Sequence, residues 1–119
     1  MSLETDLTTV LLTVCPQAHP HPAPAGTPLP YITWQHLGGD ALRFLDKTRP
    51  SLRHATIQLS TWHTTPMAAM LLAQAADEAL SAAAPLLQAS PLGEPVKAYD
   101  DADDQAGFEQ DFSIWGADK

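Results

Sequence analysis

His19 and His21 flank Pro20 in the stretch "QAHPHPAPAG", and two imidazoles splayed around a proline make the most tempting metal pair in this chain. A transition-metal site needs three or four ligands. His36, His54 and His63 would have to complete the set, yet each falls on a different predicted element with no carboxylate at a useful spacing. Exposed or partly packed histidines are the simpler reading, and no metal ligand is assigned. The run Asp100-Asp101-Ala102-Asp103-Asp104 lacks the alternating oxygen ligands, central glycine and closing glutamate of a calcium loop. It reads as a solvated hairpin tip whose charge discourages stray edge pairing.

Nucleophilic chemistry finds no better footing. Cys15 sits among Thr13, Val14 and Pro16, without a basic neighbour to favour its thiolate, and reads as a small buried hydrophobe. Ser60 and His63 lie close in sequence at a strand end, but no third group orients them. No serine stands in a glycine-flanked elbow, and Gly38-Gly39-Asp40 reads as a turn or bulge, not a phosphate loop. No catalytic residue and no cofactor site are assigned, and the chain is expected not to be an enzyme.

The bulk composition narrows the class of partner. A chain of 119 residues is one domain's worth, with room for a modest core. A formal charge of −8 with only six Lys and Arg argues against sequence-independent grip on nucleic acid, which works by releasing counterions from clustered cations. An acidic surface suits a passage through which DNA slides without sticking. One cysteine excludes an internal disulfide framework. No apolar run approaches the length of a membrane span, and the N-terminus lacks a signal-peptide layout. A soluble protein made in a cytoplasm is expected.

The elements that must position these residues follow from periodicity. Ser2 is a suitable N-cap, and Leu3, Leu7, Val10, Leu11 and Val14 form a helical stripe that Pro16 stops. Residues 16–30 are rich in Pro and Ala and read as an extended loop. From Tyr31 to Leu37, Ile32, Trp34 and His36 share one strand face and Tyr31, Thr33, Gln35 and Leu37 the other. Bulk on both faces predicts a strand covered at least partly on both sides. Gly38-Gly39 ends it, and residues 38–53 are expected to be an arm or loop.

A second alternation runs from Arg53 to Trp62, with Ala55, Ile57, Leu59 and Thr61 on one face. Thr65-Pro66 starts a second helix, whose predicted stripe is Ala68, Leu71, Leu72, Ala75, Ala79 and Leu80, with Pro85 at its end. Residues 89–95 read as loop, Val96 to Tyr99 as a short strand, and Phe108 to Trp115 as a longer one. Residues 116–119 form a tail. The expected fold is one α+β domain over residues 1–119, a mainly antiparallel sheet of about four strands with two helices packed on it, in the order α-β-β-α-β-β. Trp34 belongs to the core by its face. Trp62 and Trp115 fall on faces otherwise lined by polar residues, so each is a cap over the sheet or an interface anchor.

These pieces, in this order, resemble a known family. The segments are "SLETDL", "PAGTPLPYITWQHLGG", "RHATIQLSTWHTTPMAAMLLAQAADEAL" and, after an acidic turn, "FEQDFSIW". Together they cover almost the whole chain and look like the tail-completion, or tail-terminator, proteins of long-tailed bacteriophages and prophages, also called head–tail joining proteins. The resemblance implies a structural virion assembly protein, found at the head–tail junction of the tail. It implies a homo-oligomeric ring, a hexamer, at the head-proximal end of the tail tube, which ends tube polymerisation and docks to the head connector. Tail tube protein, connector protein and other copies of the chain are the implied partners, with DNA passing through the lumen without specific binding and no membrane involved. A ring requires heterologous contacts; the candidates are the arm, with Phe44 and Leu45 as apolar anchors, and Trp62 and Trp115. The alternatives are a prophage-encoded module that binds a host factor and a small histidine-metal enzyme.

Overall fold

Both helices begin where the sequence places their caps. In the computed structural model, which describes residues 2–40, 51–98 and 105–117, the first helix α1 spans Leu3–Leu11, and Ser2 Oγ accepts from Thr5 N–H at 3.2 Å. Leu3, Leu7, Val10 and Leu11 are buried along its predicted stripe. The second helix, α2, spans Pro66–Ser81, with the Thr65 hydroxyl accepting from Ala68 N–H at 3.2 Å and Pro66 in the first turn. Each cap satisfies a backbone donor that the helix itself leaves unpaired.

The strands are β1 (Ala18–Pro20), β2 (Tyr31–Gly38), β3 (Leu52–His63), β4 (Gln88–Pro91), β5 (Val96–Ala98) and β6 (Ala106–Ala117). They form one sheet in the order β1-β2-β3-β6-β4, with β5 pairing the same strand β6 beside β4. All ladders are antiparallel except β1–β2. The four predicted strands are present as β2, β3, β5 and β6. The fold is α+β and the sheet mainly antiparallel, as expected, but among the described residues it has six strands and one parallel ladder, which corrects the expectation of about four strands and of the order α-β-β-α-β-β.

The two added strands arise in segments read as loop. β1 and β4 are too short for alternation to register, and each ends on a proline, which a sheet accepts only at an edge or strand end. Main-chain bonds from Ile32 N–H to Gln17 O and from His21 N–H to Trp34 O hold β1 in place. Residues 38–53 are likewise not all arm, because β2 runs through Gly38 and β3 starts at Leu52. Residues 41–50, Tyr99 and the acidic run at 100–104 lie outside the described residues.

Alternation on the long strands sends Ala55, Ile57, Leu59 and Thr61 of β3, and Phe112 and Ile114 of β6, into a single core. α1 and α2 cover that face, and their buried side chains join Ile32, Trp34 and Leu87 in one apolar cluster. The buried side of α2 is Ala69, Leu72, Ala73, Ala76 and Leu80, which leaves Met67 and Leu71 exposed. The predicted stripe is therefore out of phase by about one residue at most positions. In a helix with six alanines among sixteen residues, apolarity does not fix the phase. The small residues let the helix lie close to the sheet, where Ala69 O accepts from Thr61 Oγ1 at 3.3 Å and Asp77 Oδ2 accepts from Gln110 Nε2 at 3.2 Å. α1 is tied to the other side of the same face by Thr8, whose hydroxyl accepts from Trp34 Nε1 at 3.2 Å.

Candidate functional site

Among the described residues both helices lie on one face, and the opposite face of β2, β3 and β6 has no helical cover. That open face carries Tyr31, Thr33 and Gln35 from β2; His54, Thr56, Gln58, Ser60 and Trp62 from β3; and Gly107, Glu109, Asp111, Ser113 and Trp115 from β6. Polar residues occupy its middle and aromatic residues its ends.

Trp62 marks one end. It is half-buried, faces Gly107 across the ladder, and packs its ring 6.4 Å from that of Tyr31. A Cβ on residue 107 would press into the Trp62 ring, so glycine there is what lets the indole lie flat over β6. The 21–27 segment folds across this corner. Its residues His21, Pro24 and Thr27 join Tyr31, Thr33 and Trp62 around a groove of about 380 Å³. Thr33 is buried beneath this cover while Leu37, on the same strand face, is exposed. The prediction of partial cover on both sides of β2 is met at this end of the strand.

Trp115 marks the other end, opposite His54, with ring centroids 4.6 Å apart. Eight residues of β3 separate His54 from Trp62, so the two tryptophan sites stand about 27 Å apart along the strand. The structure places both predicted anchors on the open face and does not bring them together. Phe44 and Leu45 lie outside the described residues.

Around His54 the fold assembles three residues that the sequence separates widely. His54 Nε2 lies 2.7 Å from Ser113 Oγ, and His54 Nδ1 lies 2.9 Å from Asp40 N and 3.6 Å from Asp40 Oδ2. Serine, histidine and aspartate in this order suggest an acyl-transfer triad. Proton positions argue otherwise. Asp40 N is a main-chain donor, so Nδ1 accepts and the neutral ring carries its hydrogen on Nε2, which donates to Ser113. A general base needs the reverse arrangement, with Nε2 free to take the serine proton. The carboxylate at 3.6 Å is also beyond hydrogen-bond range. This constellation fastens the strand ends and does not activate a nucleophile. Sequence reading missed it because only the β3–β6 register joins residues 54 and 113.

The other histidines are dispersed. His19 Nε2 donates to Gln17 Oε1 at 2.9 Å, and His63 Nδ1 accepts from Thr64 N–H at 2.8 Å. His36 Nε2 donates to Glu4 Oε2 at 2.9 Å on the helix-covered side of the sheet. Among the described residues no group of three His, Cys, Asp or Glu is placed to hold a metal ion. Cys15 is buried, which pushes its thiol pKa up, and its Sγ lies 3.2 Å from Gln17 O. Such a thiol is a poor nucleophile.

Among the described residues Glu4 has the most perturbed carboxyl. Burial alone would raise its pKa, but hydrogen bonds from Arg53, its own main chain and His36, with the Arg53 charge, hold it down to about 2. Arg53 Nη1 is 2.8 Å from Glu4 Oε1. The cluster pins the start of α1 to β2 and β3, an anchoring role, beside an open groove of about 400 Å³ that Glu4 lines with Thr5, Thr8, Thr9, Pro20 and Trp34.

The described site is thus a surface. Among the described residues no helix is long and apolar enough to cross a membrane. No curated protein matches the chain significantly. A family model does: that of tail completion protein gp17 matches residues 6–115. With nearly its whole length so matched, from within α1 to Trp115 on β6, the chain belongs to the tail completion protein gp17 family, structural components of the phage tail.

Proposed function

We propose that this protein forms a ring on the head-proximal end of the phage tail tube, ends tube polymerisation there and joins the tail to the head connector. The observation that carries the reading is the family match over residues 6–115. The open face of the sheet supports it, because a subunit that works by assembly needs surface its own helices leave uncovered. Trp62 and Trp115 at the two ends of that face are the proposed described anchors, and Phe44 and Leu45 of the 41–50 segment complete the proposed interface. In a closed ring of identical subunits each contact is heterologous, one patch of the chain meeting a different patch of the next copy. The net charge of −8 suits a lumen through which DNA passes without sticking.

Electron microscopy of tails made with and without the protein tests the reading. Tubes of uncontrolled length that fail to join heads are expected in its absence. Tubes of normal length that join heads without it would overturn it.

A further inference from the structure

Charge is distributed unevenly along this chain. Arg43, Lys47, Arg49 and Arg53 are four of its six basic residues, with Asp46 the only acid among them. The remaining sequence carries thirteen Asp and Glu against two basic residues. Arg53 is engaged by Glu4, so Arg43, Lys47 and Arg49 are the bases of the 41–50 segment, interleaved with Leu42, Phe44 and Leu45.

The described surface holds a feature of complementary chemistry. Where β4 and β5 meet β6, a groove of about 150 Å³ is lined by Gln58, Leu92, Glu94, Val96, Glu109 and Asp111 among others. Leu92 and Val96 are 58% and 62% exposed, so this is apolar surface that the fold itself does not bury. Val96 stands opposite Glu109 in the β5–β6 ladder, and Gln58 opposite Asp111 in the β3–β6 ladder, which puts both carboxylates on the open face. Among the described residues none of Glu94, Glu109 and Asp111 has an ion-pair partner. Exposed aliphatic side chains rimmed by three carboxylates fit a partner in which bases alternate with apolar residues.

Resting on the ring reading, we infer that this groove receives the 41–50 segment of a neighbouring copy of the chain, with Arg43, Lys47 and Arg49 meeting the carboxylates and Phe44 or Leu45 covering Leu92 and Val96. Chain length favours the neighbour's segment at the far end of the groove. Ten residues that leave and return reach about 17 Å at full extension. Val96 and Glu109 lie about 20 Å along the sheet from His54, beside which Asp40 sits, and about 27 Å from Ala117, the residue opposite Leu52. The contact so formed is heterologous, as a ring requires.

The test uses the full chain, added to tail tubes assembled without it. Reversing the groove (E94K/E109K/D111K) or the segment (R43E/K47E/R49E) is expected to abolish capping, and combining both sets in one chain is expected to restore it. Far-UV circular dichroism and melting check that each variant folds. Copies carrying only L45C, mixed with copies carrying only V96C, should be joined by a short bismaleimide into a mixed dimer on the tubes. Capping by the groove-reversed protein equal to wild type, failure of the combined variant to recover any capping, or cross-links formed only within a doubly substituted chain would overturn the inference while leaving the ring reading intact. Failure of the wild-type chain itself to cap tubes would remove both.

Discussion

His54 donates from Nε2 to Ser113 Oγ at 2.7 Å while its Nδ1 accepts from the main-chain N–H of Asp40, which joins β3, β6 and the end of β2 through one ring. The tautomer follows from the main-chain donor. Long-range proton–nitrogen correlation at pH 8 should show the His54 hydrogen on Nε2, and finding it on Nδ1 would reverse the assignment. Ser113→Ala should cost about 1 kcal/mol, the net worth of one hydrogen bond, in urea unfolding. Fluorophosphonate probes should leave Ser113 unlabelled.

The Glu4 carboxyl predicts a pH dependence of stability. Its pKa is about 2 in the folded chain against 4.5 as the ordinary value, so the folded state prefers the ionised form. The stabilisation is fully present above about pH 4.5 and is lost as the pH falls toward 2. Glu4→Gln should therefore lower the melting temperature at pH 7, by an amount equivalent to at most about 1 kcal/mol for a partly solvated pair. The gap between variant and wild type should narrow below about pH 4.5 and close as the pH approaches 2. A gap that stays constant from pH 7 to pH 2.5 would assign the loss to packing instead.

Gly107 faces the Trp62 ring so closely that a methyl group has no room. Gly107→Ala should destabilise by about 1–3 kcal/mol, the usual penalty for forcing an extra group into a packed site. The indole must lift from β6, so the tryptophan emission maximum should move to longer wavelength. Unchanged emission with unchanged stability would show that the ring does not rest there.

Ala76 of α2 is 1% exposed between the helix and the sheet. Ala76→Leu should cost about 1–3 kcal/mol by overpacking. Ala75→Leu, one position round the helix and half-buried, should cost less. Equal costs in guanidinium unfolding would contradict the phase of the helix.

For assembly, Phe44→Asp with Leu45→Asp should leave the free chain folded, with a melting temperature within a few degrees of wild type. The same variant should fail to cap tail tubes. Infectious tails of normal length made with it would remove these two residues from the interface.

Sequence alone determined the parts of this protein whose cause is local. Ser2 and Thr65 cap helices because a side-chain oxygen beside unpaired N–H groups acts within three residues. Alternation marks β3 and the long final strand β6 because burial on one side is written in consecutive positions. Ile32 and Trp34 declared their core face in the same way, and the segments around them carried the family resemblance. Tertiary structure alone decided what depends on distant partners. β1 and β4 are strands because β2 and β6 offer them an edge to pair with, not because three or four residues alternate. The buried side of α2 was set by its fit to the sheet, since its many alanines are apolar in every direction. Register across β3 and β6 brought His54 to Ser113 and, through the main chain of Asp40, fixed the proton that rules this trio out as a triad. It also carried Trp62 and Trp115 to opposite ends of one open face. Hydrogen-bonded ladders join residues by geometry and not by nearness in sequence, so these relationships exist only in the folded chain.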